Sequence, residues 1–295
     1  MSADLDKKRK QLLSYLDEKQ EKVMEYQEKL IGPGLLKKIR RLFKFRKKYV
    51  DTIIGRLFSN KVKEINILGG RENMLINLND ATTASLYYFG VLGFEQEVRT
   101  TKFLVKSLEE SSVFYDVGGS YGFYTYLAKY LTTSEEIHYF EPVKNVCDLV
   151  RENLNSDVFV NNVAVADQAG EVVFYTKNRA SDGSSLINSP DSSSVSVRSI
   201  TLSDYIETHR KPDYIKLDAE GVEDRIIKGS ISFFENNSPV VVMEIHPKSI
   251  THKRAERLLF NIGYKKYKID KNGDLHIWSE KERISKSFDN FIFKK

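Results

Sequence analysis

From Val113 to His246 short apolar runs alternate with longer amphipathic stretches. "VFYDV", "EIHYFE", "VFVNNVAV", "DYIKLD" and "PVVVMEIH" are the apolar runs. "YGFYTYLAKYL", "VKNVCDLVRENL", "VEDRIIKGSISFFEN" and "HKRAERLLFNI" have helical spacing. This order predicts an α/β fold, a mainly parallel sheet with helices on both faces. "YKKYKIDKNGDLHIW" predicts a closing hairpin turned at "KNGD", which supplies an antiparallel strand at or near one edge. Sheets of this kind bind ligands beyond the carboxyl ends of their strands, so candidate residues are sought there.

The first strand end reads "DVGGSYG". Gly118, Gly119 and Gly122 do not give the Gly-x-Gly-x-x-Gly spacing of a dinucleotide site. Asp116 precedes Gly118 and Gly122, which let backbone run close to a ligand. A leading carboxylate suits a ligand with positive charge and no phosphate, and S-adenosylmethionine is one. The second strand ends in Glu141, suited to the two hydroxyls of a ribose. Nicotinamide enzymes share that feature, so the methyl donor is favoured only by Asp116 and Glu141 together. At the third strand end, Asn162 and Ala164 are candidate readers of an adenine edge. The bland alternatives are a helix cap for Asp116, a surface carboxylate for Glu141 and a turn residue for Asn162.

The fourth strand end, "IKLDAEGVE", carries Asp218, Glu220 and Glu223, and the fifth carries Glu244 and His246. Asp218, Glu244 and His246 are candidates for one cluster. Such a cluster could take a proton from an attacking hydroxyl. It could instead hold a divalent metal that lowers the hydroxyl's pKa. His138, His209, His252 and His276 show no comparable company.

These pieces resemble the FkbM family of S-adenosylmethionine-dependent methyltransferases. The resemblance is carried in order by "VFYDVGGSYGFYTYLA", "YFEPVKNVCDLVRENL", "VAVADQAGEVVFY", "SITLSDYI", "DYIKLDAEGVEDRIIKGS" and "VVVMEIH", over roughly residues 66–280. It implies the class I methyltransferase fold, Rossmann-like, with seven strands in the order 3-2-1-4-5-7-6. It also implies methyl transfer to hydroxyls, often on sugars, cell-surface glycans or other natural products. On that pattern Asp116, Gly118, Ser120 and Gly122 hold the methionine end, and Glu141 holds the ribose. Asp218, Glu220 and His246 fall where acceptor and methyl meet, with Glu244 beside them. Gly119-Ser120 replaces the family's usual Ala-Asn. Donor binding is expected to survive, because Ser120 still donates and accepts hydrogen bonds.

Composition bears on what remains. The 295 residues suit one large domain plus an extension, divided at 1–60 and 61–295. No apolar run reaches the roughly 18 residues of a membrane span, and the start lacks a signal-peptide core, so a cytoplasmic protein is expected. Cys147 is the single cysteine, which excludes an internal disulfide, and its helical spacing marks it as a core residue. Residues 1–60 hold 16 Lys+Arg against 8 Asp+Glu, while 61–295 hold 30 against 33. The acidic body thus carries a basic arm. Within it, 35–50 has eight basic and no acidic residues interleaved with Leu36, Ile39, Leu42, Phe43 and Phe45. Contact with the inner face of a membrane and packing on the body or a second subunit are the two readings of that arm. Nucleic acid ranks third. A nucleic-acid methyltransferase or RNA-binding protein is therefore one rival function, and a non-catalytic assembly protein on this fold is another. A serine-rich stretch, 177–196, is either a cover for the acceptor or a surface insertion.

Overall fold

The computed structural model describes residues 3–31, 62–77, 81–133, 136–154, 158–177, 192–279 and 288–295. The basic stretch 35–50 and most of the serine-rich stretch lie outside them. Among the described residues no helix is long and apolar enough to cross a membrane.

The main sheet uses β3 (Phe114–Val117), β4 (Ile137–Phe140), β5 (Phe159–Asn161), β9 (Tyr214–Leu217), β10 (Val240–Ile245), β11 (Lys265–Ile269), β12 (Leu275–Ile277) and β13 (Asp289–Lys294). Their order is β12-β11-β13-β10-β9-β3-β4-β5. Pairing is parallel from β5 to β10, and β13 runs antiparallel between β10 and β11. Without β12 this is the 3-2-1-4-5-7-6 order of a class I methyltransferase. The central strands are buried along their length, as expected when helices cover both faces.

The "KNGD" hairpin forms as β11 and β12 and supplies an antiparallel strand at one edge, β12, as expected. β13, which the sequence reading did not single out, is a further antiparallel strand inside the sheet. Residues 289–293 are all buried, because neighbours on both edges and layers on both faces leave β13 no exposed side. Two expectations need correction. The expected single strand 158–165 is two. The amide of Asn162 donates to the carbonyls of Glu141 and Pro142, at 3.0 and 2.9 Å, and turns the chain out of the main sheet. β6 (Ala164–Val165) then joins β8 (Ser192–Ile200) and β7 (Gly170–Lys177) in a second, three-stranded sheet. The expected helix after β9 also divides, into α7 (Glu223–Gly229) and α8 (Ile231–Asn237).

Helices α1 (Ala3–Ile31), α3 (Glu95–Ser107), α4 (Phe123–Leu131) and α5 (Lys144–Leu154) share one core with one face of the sheet. The hairpin of β1 (Val62–Ile67) and β2 (Glu72–Asn77) and helix α2 (Ala81–Phe89) join it. Helices α6 (Leu202–Tyr205), α7, α8 and α9 (Ile250–Asn261) pack on the other face. Leu12 and Leu16 of α1 are fully buried in the first core. Lys102 of α3 donates to Asp17 and Gln20, and Arg9 donates to the carbonyl of Leu108. α1 is therefore an integral layer of the body. Leu16→Ala is expected to cost about 2–5 kcal/mol in urea unfolding. A change below about 0.5 kcal/mol would mean that α1 is detached in solution.

Candidate active site

Side chains alternate across a strand, and parallel partners share a face. Asp116 pairs with Lys216 in register, and Lys216 with Val242. Glu244 follows Val242 by two and pairs with Asn290 of β13. One face of the sheet, the face under α3 and α4, thus carries a row of Asp116, Lys216, Glu244 and Asn290. The residues nearest the carboxyl ends reach the mouth, with Asp218, Glu141 and His246 just beyond their strands.

The candidate donor side is built on a turn with left-handed backbone. Gly118, Ser120 and Gly122 all have positive φ, at 75°, 47° and 79°. A Cβ on Gly118 would stand 1.9 Å from the carbonyl oxygen of Asp218, so the turn lies directly on the fourth strand's end. Asp116 is 2% exposed and accepts the Thr125 hydroxyl of α4 at 2.6 Å. It therefore anchors the helix as well as facing the turn. Burial pushes it up to about 6, although the Thr125 hydrogen bond opposes this. Glu141 is 6% exposed and accepts the N–H of Val143 at 2.9 Å and of Ser120 at 3.3 Å. Burial pushes it up to about 7 against those two donors. Asn162 is committed to the carbonyls named above, and Ala164 is buried in β6 opposite Ser199. The buried carboxylates and the glycine-rich turn fit a cationic, hydroxyl-bearing ligand.

The candidate acceptor side centres on Lys216, which is 1% exposed. Its ammonium donates to Asp218 at 3.0 Å. Burial alone would lower its pKa, but the charges of Asp218, Glu97 and Glu244 outweigh burial and raise it. Glu97 comes from α3, receives the Tyr124 hydroxyl and accepts Asn290 Nδ2 at 2.7 Å. Burial raises Glu97 against the opposing charge of Lys216. Glu244 Oε1 lies 2.7 Å from His246 Nε2. Burial and then the charge of Asp218 push Glu244 up to about 7. Lys216, Glu97 and Asn290 were not singled out in the sequence. A lysine between apolar neighbours in "YIKLD" was the available signal, since such a lysine is buried only with partners.

Asp218, Glu244 and His246 do meet in one cluster, but an ammonium rather than a shared cation position links the first two. Among the described residues no group of three or more His, Cys, Asp and Glu side chains could hold a metal ion. Glu220 is exposed, in a left-handed backbone conformation with φ 53°. Its turn is held by Glu223, whose Oε1 accepts the N–H of Ala219 at 2.9 Å and of Gly221 at 3.2 Å. Glu223 Oε2 lies 3.1 Å from His252 Nε2, and His252 Nδ1 accepts the N–H of His246 at 2.7 Å. His252 therefore has a partner that the sequence did not reveal. The pair ties the fourth strand's loop to the fifth's. His138 also has company, in Glu136 and the Tyr205 hydroxyl.

The raised carboxylates make a testable statement about stability. Glu141 binds a proton in the folded state up to about pH 7 but in the unfolded chain only to about 4.3. Between those values the folded state holds more protons, so stability of the unliganded protein falls as pH rises from 5 to 7. Glu141→Gln is expected to flatten this slope in urea unfolding at a series of pH values. An unchanged slope would mean that Glu141 titrates normally.

The chain matches the methyltransferase FkbM domain over residues 116–266. It is 26% identical over 174 residues to the hexuronic acid methyltransferase AglP of Haloferax volcanii, across 56% of this chain and 70% of that one. Its structure is similar, at TM-score 0.43 and 15% identity, to a methyltransferase FkbM from Methylobacillus flagellatus. That alignment covers 64% of this chain and 44% of the other, so the chain spans less than half of that protein's length. An O-methyltransferase of Bacillus cereus in complex with SAH aligns at TM-score 0.39 and 13% identity, over 66% of this chain and 78% of that one. The family match covers just over half of this chain and includes every strand end that forms the mouth, so the chain belongs to the FkbM methyltransferase domain family.

Proposed function

We propose that the protein is an S-adenosylmethionine-dependent O-methyltransferase acting on a hydroxyl of a sugar, a glycan or a related natural product. The observation that carries this reading is the pairing of two buried carboxylates around a glycine turn with an acid–base cluster across the mouth. The relative from Haloferax volcanii, named for hexuronic acid methylation, supports the glycan class.

The residues suit the task. Asp116 and the Gly118–Gly122 turn would hold the methionine end of the donor, and Glu141 its ribose. Burial that makes these carboxylates costly to ionise also makes a cationic, hydroxyl-bearing ligand the natural partner for them. When bound, the donor supplies an electrophilic methyl group on a sulfonium. The acceptor hydroxyl must lose a proton as its oxygen forms the new bond to carbon. His246, oriented by Glu244, is the candidate base, and the proton passes to its imidazole. Asp218, held by Lys216, would orient the hydroxyl. Positioning of this kind removes much of the entropic barrier, and a general base contributes about 10²–10⁴-fold. The mouth as a whole is acidic, which disfavours the rival reading as a nucleic-acid methyltransferase. A role for 35–50 at a membrane surface or in self-association remains part of this proposal through charge alone.

The test is calorimetric binding of S-adenosylhomocysteine together with transfer of labelled methyl to a glycan fraction. Asp116→Ala and Glu141→Ala are expected to weaken binding at least about tenfold, the scale of one lost charged contact. His246→Ala and Asp218→Asn are expected to bind normally while turnover falls about 10²-fold or more. Unchanged affinity in both donor-side variants would overturn the donor assignment, and full turnover in both acceptor-side variants would overturn the base.

A further inference from the structure

Helices α7 and α9 pack side by side, and a groove of about 430 Å³ lies between them and the loop after β6. Four cationic side chains line it, Arg225 and Lys228 from α7 and Arg254 and Arg257 from α9. Two carboxylates join them, Asp224 of α7 and Asp167 of the loop. Ile226, Ile227, Ala255 and Leu259 turn into the core, so the charged positions, spaced by three or four, take the outer side of each helix. A Cβ on Gly229 would stand 2.4 Å from the Cα of Asp167, so the loop lies directly against the end of α7. None of the candidate donor-side or acceptor-side residues lines the groove.

The charges in the groove do not cancel. Arg225 aims Nε and Nη2 at one oxygen of Asp167, at 3.0 and 2.7 Å, and that contact holds Asp167 below the usual carboxylate range. This pair is neutral as a unit. Arg254 approaches Asp224 only to 3.9 Å, and its side chain is 66% exposed. Lys228 and Arg257 are exposed and make no hydrogen bond or ion pair among the described residues. Four cations against two carboxylates leave an excess of two positive charges. Residues 61–295 as a whole lean the other way, with 30 Lys+Arg against 33 Asp+Glu. Like charges facing each other across a cleft repel, and an anion between them removes that cost.

A phosphomonoester matches the groove in charge, shape and size. It carries about −1.5 to −2 at pH 7, which balances the excess. Its three free oxygens take the fork of an arginine and the point charge of a lysine together. A volume of about 430 Å³ falls within the roughly 300–1,000 Å³ of small-molecule sites, so there is room for carbon atoms beside the phosphate. Leu258 of α9, half-buried, lines the same groove and offers those atoms an apolar contact.

We propose that the groove between α7 and α9 is a second ligand site, for an organic phosphomonoester held by Lys228, Arg254 and Arg257. The inference does not depend on the methyl-transfer reading. A free metabolite and the headgroup of a lipid such as phosphatidic acid present the same chemistry here.

The experiment is titration calorimetry on the full chain at low salt with glycerol 3-phosphate and ribose 5-phosphate, with glycerol and inorganic phosphate as references. A second arm is flotation with phosphatidylcholine vesicles, with and without phosphatidic acid. Saturable binding of at least one ester is expected, tighter than that of inorganic phosphate and absent for glycerol. The double variant Lys228→Glu, Arg257→Glu should weaken it at least about tenfold. Its urea midpoint should stay at the wild-type value, since both side chains are exposed. The single variants Lys228→Gln and Arg257→Gln should weaken binding in the same direction, which keeps the test free of any cost of reversing two charges. Vesicle binding that needs phosphatidic acid and is lost in the double variant, with no soluble ester bound, supports the site and assigns the ester to a headgroup. The inference is overturned if no ester, soluble or in vesicles, shows binding that depends on Lys228 and Arg257. It is equally overturned if inorganic phosphate binds as tightly as the soluble esters, or if an RNA oligomer with only diester phosphates binds the groove more tightly than every monoester.

Discussion

A lysine ammonium buried in the middle of a parallel sheet needs compensating charge, and the arrangement around Lys216 meets that need. Removing an ammonium from water costs several kcal/mol even after relaxation, so the site holds only if opposite charges come with it. Asp218 supplies one from the same strand, Glu97 one from α3 and Glu244 one from β10. Asn290 and Tyr124 then complete the hydrogen bonds of Glu97. Five elements are thereby drawn to one point, and the candidate base at the fifth strand's end is placed near the fourth-strand carboxylate. The same charges that make Lys216 tolerable in the core shape the wall that an acceptor would meet.

The loops at the mouth are held by a second buried pair. Burial would raise Glu223, but its contact with His252 outweighs this and lowers it, so the carboxylate stays ionised. It gathers two backbone N–H groups of a turn that contains a left-handed Glu220, a conformation that a non-glycine residue keeps only under constraint. His252 passes the constraint to the backbone of His246. The loop facing the donor turn and the loop carrying the candidate base are therefore tied to each other through buried side chains. Precision of this kind is what a reaction limited by alignment of three atoms requires.

Much of the candidate donor side was legible in the chain because it is local. Asp116, the glycines and Glu141 sit at the ends of consecutive strands, and strand ends can be read from apolar runs and the turn residues after them. Glu244 and His246 were paired correctly for the same reason, a period of two along one strand. Lys216, Glu97 and Asn290 escaped because their partners lie on strands and helices distant in sequence. A lone charged residue within an apolar run, or on one helix face, does not announce which other charge it meets. β13 escaped because a strand enclosed on every side loses the alternation that marks half-buried strands.

By itself the sequence determined the class of fold and the residue types that stand at the carboxyl ends of its central strands, since these follow from periodicity, glycine placement and residue type. The tertiary structure decided which of those ends share a mouth and which charges neutralise which. It inserted β13 between β10 and β11 and so brought Asn290 opposite Glu244. It also laid α3 over the sheet and so brought Glu97 to Lys216. The physical reason is one of range. Local geometry depends on neighbours in the chain, whereas the energy of a buried charge depends on every group within a few ångströms, wherever that group lies in the sequence.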